Sequence, residues 1–288
     1  HDNPPPIPPG RPPMKIRFWG VRGSIPVPGP TTIRMGGNTS CVEVSAEGET
    51  IILDAGSGLR PLGLKLMKEG KPVRASLFFT HVHHDHIQGF PFFVPAFIPT
   101  TILKIYGERK GDASIKDLIS GVMTSPYFPV PIGALRAQME FHDVKENETV
   151  KVSPTLTVRT RRLNHPGGAI GYRIESVEKG KARVFAYVTD TEHLAEPDQN
   201  VIELAKDADA MVYDTFSTPQ EYEAKTKGWG HSTWAEGNKL AKLAKAKRLL
   251  LFHHDPGHSD KEMEGILDEA RKEHKGVMLA YEGLELSF

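Results

Sequence analysis

Short apolar runs separated by Gly- and Pro-rich turns recur along the whole chain, and this pattern predicts a strand-rich fold with interspersed helices. Residues 15–19 alternate apolar and polar side chains, which is typical of a half-buried strand. The apolar runs at 76–80, 184–190 and 248–252 are continuous and indicate buried strands. The other predicted strands lie at 39–44, 50–54, 102–106, 139–142, 149–152, 156–163, 169–175, 210–214 and 277–281.

Helices are predicted where the apolar spacing lengthens and an N-terminal capping residue precedes it. Thr233 with Glu236 and Ser259 with Glu262 have the spacing of capping boxes. The predicted helices are 59–68, 113–123, 201–206, one beginning at Thr233 and ending near 246, and one beginning at Ser259 and ending near 272. Two Pro-rich aromatic segments, 90–99 and 126–131, are expected to be irregular. They could line a substrate pocket, or simply pack into the core.

The most informative stretch is 80–89, which follows the buried run 76–80 and reads Thr-His-Val-His-His-Asp-His-Ile-Gln-Gly. Chemistry in layered α/β proteins is placed at the carboxyl ends of such strands. His81 and His83 are two residues apart, so in an extended segment they project to one side. Asp85 and His86 follow as the chain turns. Imidazoles and a carboxylate in this spacing predict a loop that binds divalent metal, with two imidazoles for one ion and a carboxylate and an imidazole for a second.

Further histidines and acids follow other predicted strands. His165 precedes Pro-Gly-Gly after residues 156–163, and Asp190 and Asp214 end the strands at 184–190 and 210–214. His253 and His254 both follow the run 248–252. Successive strand residues point to opposite faces, so only one of the two is expected to bind metal, and His253 is the preferred candidate.

Composition limits the class of protein. The 288 residues have 36 basic and 36 acidic side chains, and a protein that tracks a long polyanion would normally carry a basic excess. One cysteine, Cys41, allows no intramolecular disulfide, which fits a reducing cytoplasmic location. No apolar run is long enough for a membrane span. Residues 1–13 are Pro-rich and are expected to be an extended linker, either a cloning remnant or the tail of an upstream segment.

The motif H-x-H-x-D-H after an apolar strand resembles the signature of the metallo-β-lactamase superfamily. The resemblance implies an α/β fold of four layers, the αββα sandwich, as one hydrolase domain over residues 14–288. It also implies two divalent metal ions, zinc first, with manganese or iron as alternatives. One ion would be held by His81, His83 and His165, and the other by Asp85, His86 and His253. Asp190 would bridge the two.

The same resemblance assigns further roles. A hydroxide bridging the metals would attack the substrate, and Asp85 could both bind metal and orient that nucleophile. A strand-end acid at position 54 would orient the histidine loop in this superfamily. Asp54 could equally be an ordinary helix N-cap.

Gly230-His231-Ser232-Thr233 resembles a motif of the phosphodiesterase branch typified by ribonuclease Z. There the histidine assists the leaving group and pairs with a strand-end acid. His231 would then be a general acid and Asp214 its orienter, although Tyr213 could occupy the acidic position instead. Ribonuclease Z carries a long arm for transfer RNA between its third and fourth metal motifs. Here only a short hairpin-like excursion separates His165 from Asp190.

We therefore expect a metal-dependent phosphodiesterase for a small phosphodiester, such as a cyclic nucleotide or cyclic phosphate, and no long nucleic acid as a partner. A hydrolase of a lactone, thioester or β-lactam, a short-RNA nuclease and a non-catalytic metal-binding domain stay as alternatives. Assembly into a homodimer is also open. Aromatic residues that could stack a base, or could equally be core, are Phe92, Phe93, Tyr127, Phe128 and Trp229.

Overall fold

The computed structural model describes residues 14–178 and 180–288, and within them the chain forms two seven-stranded sheets. The proposed linker at 1–13 lies outside the described residues. The first sheet contains β1 (Lys15–Gly20), β2 (Cys41–Ala46), β3 (Glu49–Leu53), β4 (Arg74–Phe78), β5 (Ile102–Glu108), β6 (Gln138–Val144) and β14 (Glu285–Ser287). The second contains β7 (Thr149–Lys151), β8 (Leu156–Leu163), β9 (Ala169–Glu178), β10 (Lys181–Val188), β11 (Ala210–Asp214), β12 (Leu249–Phe252) and β13 (Val277–Leu279).

Both sheets are mixed and have the same plan. The first has the order β14-β1-β2-β3-β4-β5-β6, and β3 to β6 run parallel while the pairs from β14 to β3 are antiparallel. The second has the order β13-β12-β11-β10-β9-β8-β7, with β10 to β13 parallel and β7 to β10 antiparallel. The parallel strands therefore carry their carboxyl ends to a common edge of each sheet.

The described residues form seven α-helical segments, and the five longest of them pack on the outer faces of the two sheets. The seven segments are α1 (Leu59–Lys68), α2 (His84–Ile87), α3 (Ile115–Val122), α4 (Gln199–Ala205), α5 (Pro219–Glu221), α6 (Trp234–Ala244) and α7 (Asp260–Glu273). The segment 90–99 forms two short 3-10 helices, Phe90–Phe92 and Val94–Phe97. Residues Tyr222–Thr226 form a turn of π-helix after α5. No helix of the described residues is both long and apolar enough to cross a bilayer.

Three apolar cores hold these layers together. Between the sheets, Phe18 packs on Phe252 with ring centroids 6.0 Å apart, and Phe78 packs edge-on against Tyr172 at 5.4 Å. A second core joins the outer face of the first sheet to α1 and α3, and a third joins the second sheet to α4, α6 and α7. Each fully buried ring contributes roughly 1.5–3 kcal/mol. The order helix, sheet, sheet, helix confirms the predicted αββα sandwich.

Some local predictions are refined by the structure. The Ser259 capping box is complete, whereas Thr233 accepts a bond from the Glu236 amide without the reciprocal side-chain bond. The strand predicted at 277–281 ends at Leu279, and it is not the last one. After it, β14 pairs with β1 at the edge of the first sheet.

Candidate metal centre

The candidate site residues of this group lie at or beyond the carboxyl ends of strands, and the two-sheet arrangement brings these ends together. His81, His83, Asp85 and His86 follow β4, in the loop that leads into α2 and in α2 itself. The others come from the second sheet, with His165 after β8, Asp190 after β10, Asp214 at the end of β11 and His253 after β12. The structure collects all of them at one end of the sandwich.

Four of these residues form a first cluster, in which one potential ligand atom from each lies within 4.8 Å of all the others. The Nε2 atom of His165 is 3.1 Å from Nδ1 of His83. Oδ2 of Asp190 is 3.5 Å from Nε2 of His81 and 3.7 Å from Nε2 of His165. The members are His81, His83, His165 and Asp190.

A second cluster lies on the other side of the Asp190 carboxylate. Nε2 of His86 and Nε2 of His253 are 3.3 Å apart, and each is 3.2 Å from Oδ1 of Asp190. Oδ2 of Asp85 is 3.1 Å from Nε2 of His253 and also accepts a 2.8 Å bond from the Ser24 amide. The members are Asp85, His86, Asp190 and His253.

Asp190 faces each cluster with a different oxygen, which is the geometry of a bridging carboxylate. The donor set also fits divalent cations. Two nitrogens that share a tetrahedral zinc ion, each bonded at about 2.05 Å, stand roughly 3.3 Å apart. The observed imidazole pairs are separated by 3.1 and 3.3 Å. Furthermore, Nε2 of His81 is buried without any hydrogen-bond partner, which is costly unless a cation satisfies it.

Hydrogen bonds fix the orientation of the rings. Nδ1 of His86 is 2.9 Å from Oδ2 of Asp54, which leaves Nε2 directed into the second cluster. Nδ1 of His165 donates to the carbonyl of Gly230 at 2.8 Å and leaves its Nε2 directed into the first. Such outer partners set the tautomer of a metal-binding histidine. Asp54 is therefore placed to orient the loop, and the N-cap interpretation is wrong because Gly58 is the N-cap of α1.

The backbone at the centre is strained. Asp54, Asp190 and His253 all adopt positive φ, at 60, 58 and 59°, directly after β3 or close after β10 and β12. Non-glycine residues rarely adopt this left-handed conformation, and such strain clusters at functional sites. In each case the turn ends the strand and aims a polar side chain at the centre.

The electrostatic potential at the centre favours a cation. Burial lowers the pKa of His81 well below its usual value, so that the ring is neutral, as a ligand must be. His86 shows the opposite shift. Burial lowers its pKa, but the carboxylates of Asp190, Asp85 and Asp54 outweigh burial and raise it well above the usual value. Three acids therefore surround the His86 ring, and they stabilise positive charge at the centre.

The structure distinguishes His253 from His254. His253 faces Asp85 and Asp190, whereas Nε2 of His254 donates to the Ala280 carbonyl at 2.8 Å, away from the clusters. Gly23 packs so closely on the His253 ring that an added Cβ would lie 2.5 Å from Nδ1. His253 is thus the residue brought to the centre.

His231 lies at the margin of the second cluster. Its Nδ1 is 2.8 Å from Oδ2 of Asp214, and its ring stacks on His253 with centroids 4.9 Å apart. Burial lowers the pKa of His231, but the Asp214 carboxylate outweighs burial and raises it to about 9. Tyr213 donates instead to the Ser232 hydroxyl at 3.1 Å, so Asp214 and not Tyr213 is the partner. Ligand atoms of His231, Asp214 and His253 also lie within 4.8 Å of one another.

The aromatic candidates separate into two groups. Phe93 is fully buried in the core beneath the first sheet, so it is not a stacking surface. Phe92 is 55% exposed and packs edge-on against Phe128, while Tyr127 and Trp229 are 90% and 51% exposed. Sequence reasoning missed Ser24, whose amide binds Asp85. The only signal for it is the Gly- and Pro-rich loop after β1.

Comparisons with known proteins agree with this geometry. A family model described as the beta-lactamase superfamily domain matches residues 49–254. "Ribonuclease Z" from Haloarcula marismortui is 28% identical over 319 aligned positions, covering 94% of this chain and 96% of that protein. The metallo-beta-lactamase fold protein YhfI from Bacillus subtilis superposes with a TM-score of 0.72 at 20% identity, covering 96% of this chain and all of that one.

A further solved structure, titled a new diphosphatase from the PhnP family, has a TM-score of 0.68 at 20% identity and covers 96% and 98% of the two chains. The αββα fold and the histidine–aspartate centre define a hydrolase of the metallo-β-lactamase type. The chain belongs to the beta-lactamase superfamily, since its family model matches more than half of the sequence.

Proposed function

We propose that this protein is a phosphodiester hydrolase that binds two divalent cations, zinc in the first instance and manganese or iron as alternatives. His81, His83 and His165 would hold one ion, and Asp85, His86 and His253 the other, with Asp190 between them. When bound, such a pair polarises a phosphoryl group and supplies a water-derived nucleophile near neutral pH. Asp85, whose Oδ2 is anchored by the Ser24 amide, would help to orient that nucleophile.

The observation that carries the proposal is the pairing of His231 with Asp214 beside the metal clusters. Asp214 accepts from Nδ1 of His231, and this leaves Nε2 as the atom that can deliver a proton. Asp214 is itself fixed by the amides of Thr191 and Phe216, each 3.1 Å from one of its oxygens. An imidazolium held in this way is suited to protonate a departing alkoxide. Hydrolysis of a lactone, thioester or β-lactam would give this pair no clear role.

Three observations favour a small substrate. β9 ends at Glu178 and β10 begins at Lys181, so the connection has no room for an inserted arm. The alignment with the Haloarcula protein spans 319 positions, more than the 288 residues here, so that relative carries segments that this chain lacks. The net charge is zero, whereas polyanion-binding proteins are usually basic. We therefore propose a cyclic nucleotide or another cyclic phosphate as the substrate class.

The test is to load the purified chain with zinc or manganese and to measure its hydrolysis of bis(p-nitrophenyl) phosphate and of a panel of cyclic nucleotides. Turnover of phosphodiesters, without turnover of nitrocefin or a lactone, is the expected result. Turnover of the carboxyl derivatives alone would show that the assignment is wrong. Loss of activity after chelation and its recovery on adding metal would link the activity to the centre.

The name of the Haloarcula relative favours a second candidate, a ribonuclease acting on short or structured RNA. That relative is 28% identical to this chain over almost the whole length of both proteins. The two candidate functions are separated by comparing the rates on a transfer RNA precursor with a 3′ extension and on cyclic nucleotides at equal concentration. Faster cleavage of the RNA would favour the nuclease and overturn the small-substrate proposal.

A further inference from the structure

The side chain of Glu192 receives three hydrogen bonds, two from the loop just before His231 and one from the π-helical turn that precedes this loop. Its Oε1 accepts from the Gly228 amide at 2.6 Å and from the Tyr222 hydroxyl at 2.7 Å. Its Oε2 accepts from the Gly230 amide at 2.9 Å. The two amides flank Trp229, so a single carboxylate holds the loop just before His231.

Gly230 is the junction between this loop and the metal centre. Its amide donates to Glu192, and its carbonyl accepts from Nδ1 of His165. The loop also packs tightly, since a Cβ on Gly230 would lie 2.2 Å from Cδ of Pro166 and 2.6 Å from Nδ1 of His165. A movement of the Gly230 peptide would therefore displace the anchor of His165 and the backbone of His231 together.

The residues on either side of Glu192 also contact His231's surroundings. The Thr191 amide donates to the Asp214 carboxylate that orients His231, at 3.1 Å. Nδ1 of His193 is 2.9 Å from the Ser232 hydroxyl, one residue beyond His231. Glu192 and His193 thus bind the segment that carries His231, while Thr191 binds its partner Asp214, and Glu192 makes the most side-chain bonds of the three.

We infer that Glu192 is a positioning residue, which fixes both the first metal cluster through His165 and the proton donor His231 through one loop. This inference rests on the proposed phosphodiesterase function. The chemistry requires a carboxylate, because two oxygens without protons can accept all three donors. A glutamine has one acceptor oxygen, and its NH2 group would face a backbone amide donor.

The matched experiment compares Glu192→Gln with Glu196→Gln, in the zinc-loaded full chain. Glu196 lies on the same connection, is exposed, and has no side-chain hydrogen bond or ion pair among the described residues. Loss of an outer-shell partner typically lowers metal affinity or activity about 10- to 100-fold. We expect Glu192→Gln to lower kcat on a cyclic nucleotide about tenfold with little change in KM. It should also weaken zinc binding, measured by competition with a chelating dye, while Glu196→Gln matches the wild type.

A purely structural role predicts a different result, a lower Tm with the kcat and zinc affinity of the wild type, and that result would overturn the inference. If Glu192→Gln does not fold, Glu192→Asp keeps both oxygens but shortens the reach, and the same losses are expected there. If the wild-type chain hydrolyses no phosphodiester, the proposed function fails. The zinc competition still decides the role of Glu192, since unchanged zinc affinity would contradict it.

Discussion

At the scale of single residues, the centre depends on where each imidazole directs its second nitrogen. Asp54 and the Gly230 carbonyl each occupy one nitrogen of a ring, and the other nitrogen faces a cluster. His231 has its Nδ1 on the Asp214 carboxylate, which raises the pKa of the ring to about 9, and it is the residue that we propose as the proton donor.

The first prediction concerns the leaving group. His231→Ala should reduce kcat on a cyclic nucleotide by about 10²- to 10⁴-fold, the usual contribution of general acid catalysis. The loss should be smaller on bis(p-nitrophenyl) phosphate, because p-nitrophenolate departs without protonation. Metal content should stay at the wild-type level. His274→Ala, at the C-terminal end of α7, is the control, and equal losses on both substrates would contradict the general-acid role.

The second prediction concerns pH. A group whose pKa is raised keeps its proton below that pKa and loses it as the pH rises through it. His231, with a pKa of about 9, should therefore stay protonated at neutral pH, and kcat should fall above about pH 9. Removing the negative charge in Asp214→Asn should move this alkaline limb to lower pH. A pH–rate profile of both proteins tests this, and an unshifted limb in the variant would count against the pairing.

The sequence predicted which types of residue form the centre, but it separated adjacent candidates less well. Strand alternation predicts that only one of His253 and His254 is a ligand, and His253 is preferred because it directly follows the apolar strand, as in the resembled family. The structure directs only His253 to the clusters. Asp214 and Tyr213 could not be separated by pattern, since both end the same strand. Their roles depend on which of them meets His231 and which meets Ser232 across the fold.

At the scale of elements, the loop 228–231 has two glycines with nearly the same φ angle. Gly228 and Gly230 have φ of +86 and +90°. A Cβ on Gly228 would meet nothing within 4 Å, whereas one on Gly230 would collide with Pro166 and His165. Alanine at Gly228 would therefore test backbone strain alone, whereas alanine at Gly230 would also disturb the metal centre.

The third prediction uses this pair. Both Gly228→Ala and Gly230→Ala should lose about 1–3 kcal/mol of unfolding free energy through backbone strain. Only Gly230→Ala should also weaken zinc binding and lower kcat, because it displaces His165. Denaturant unfolding and zinc competition measure the two effects. Equal zinc affinity in both variants would show that the loop does not govern the centre.

Most long elements could be predicted from the sequence, because their apolar spacing and caps are local. Two short elements, α2 and β14, could not. α2 has four residues, too few for a periodic pattern, and β14 has three, with exposed ends that look like a tail. β14 is a strand only because β1 offers it an edge, and that information is not local.

At the scale of the whole molecule, each sheet supplies part of the centre. The β4 loop of the first sheet gives His81, and the second sheet gives His165 and Asp190. Below the centre, the Tyr187 hydroxyl of the second sheet donates to Asp54 of the first at 3.1 Å. Cations held at this junction would join the two halves of the sandwich, so metal binding and folding should be coupled. The recurrence of polar residues at strand ends suggested one site, but the division of the ligands between two ions was expected only from the family resemblance.

The fourth prediction follows from this coupling. Adding zinc to the metal-free chain should raise Tm, because free ligand at 100 times its Kd stabilises the folded state by about 2.7 kcal/mol. In Asp190→Ala both clusters lose a member, so zinc should raise Tm much less and the bound metal should decrease. Calorimetry and metal analysis measure these effects. Two ions retained by Asp190→Ala would contradict the bridging role.

The proposed metal centre requires two cations on opposite sides of Asp190. An anomalous difference map from crystals of the zinc-loaded protein, measured at the zinc absorption edge, tests this directly. We predict two peaks, one among His81, His83 and His165, and one among Asp85, His86 and His253. A single peak, or peaks away from the Asp190 carboxylate, would contradict the dinuclear centre and the hydrolytic mechanism built on it.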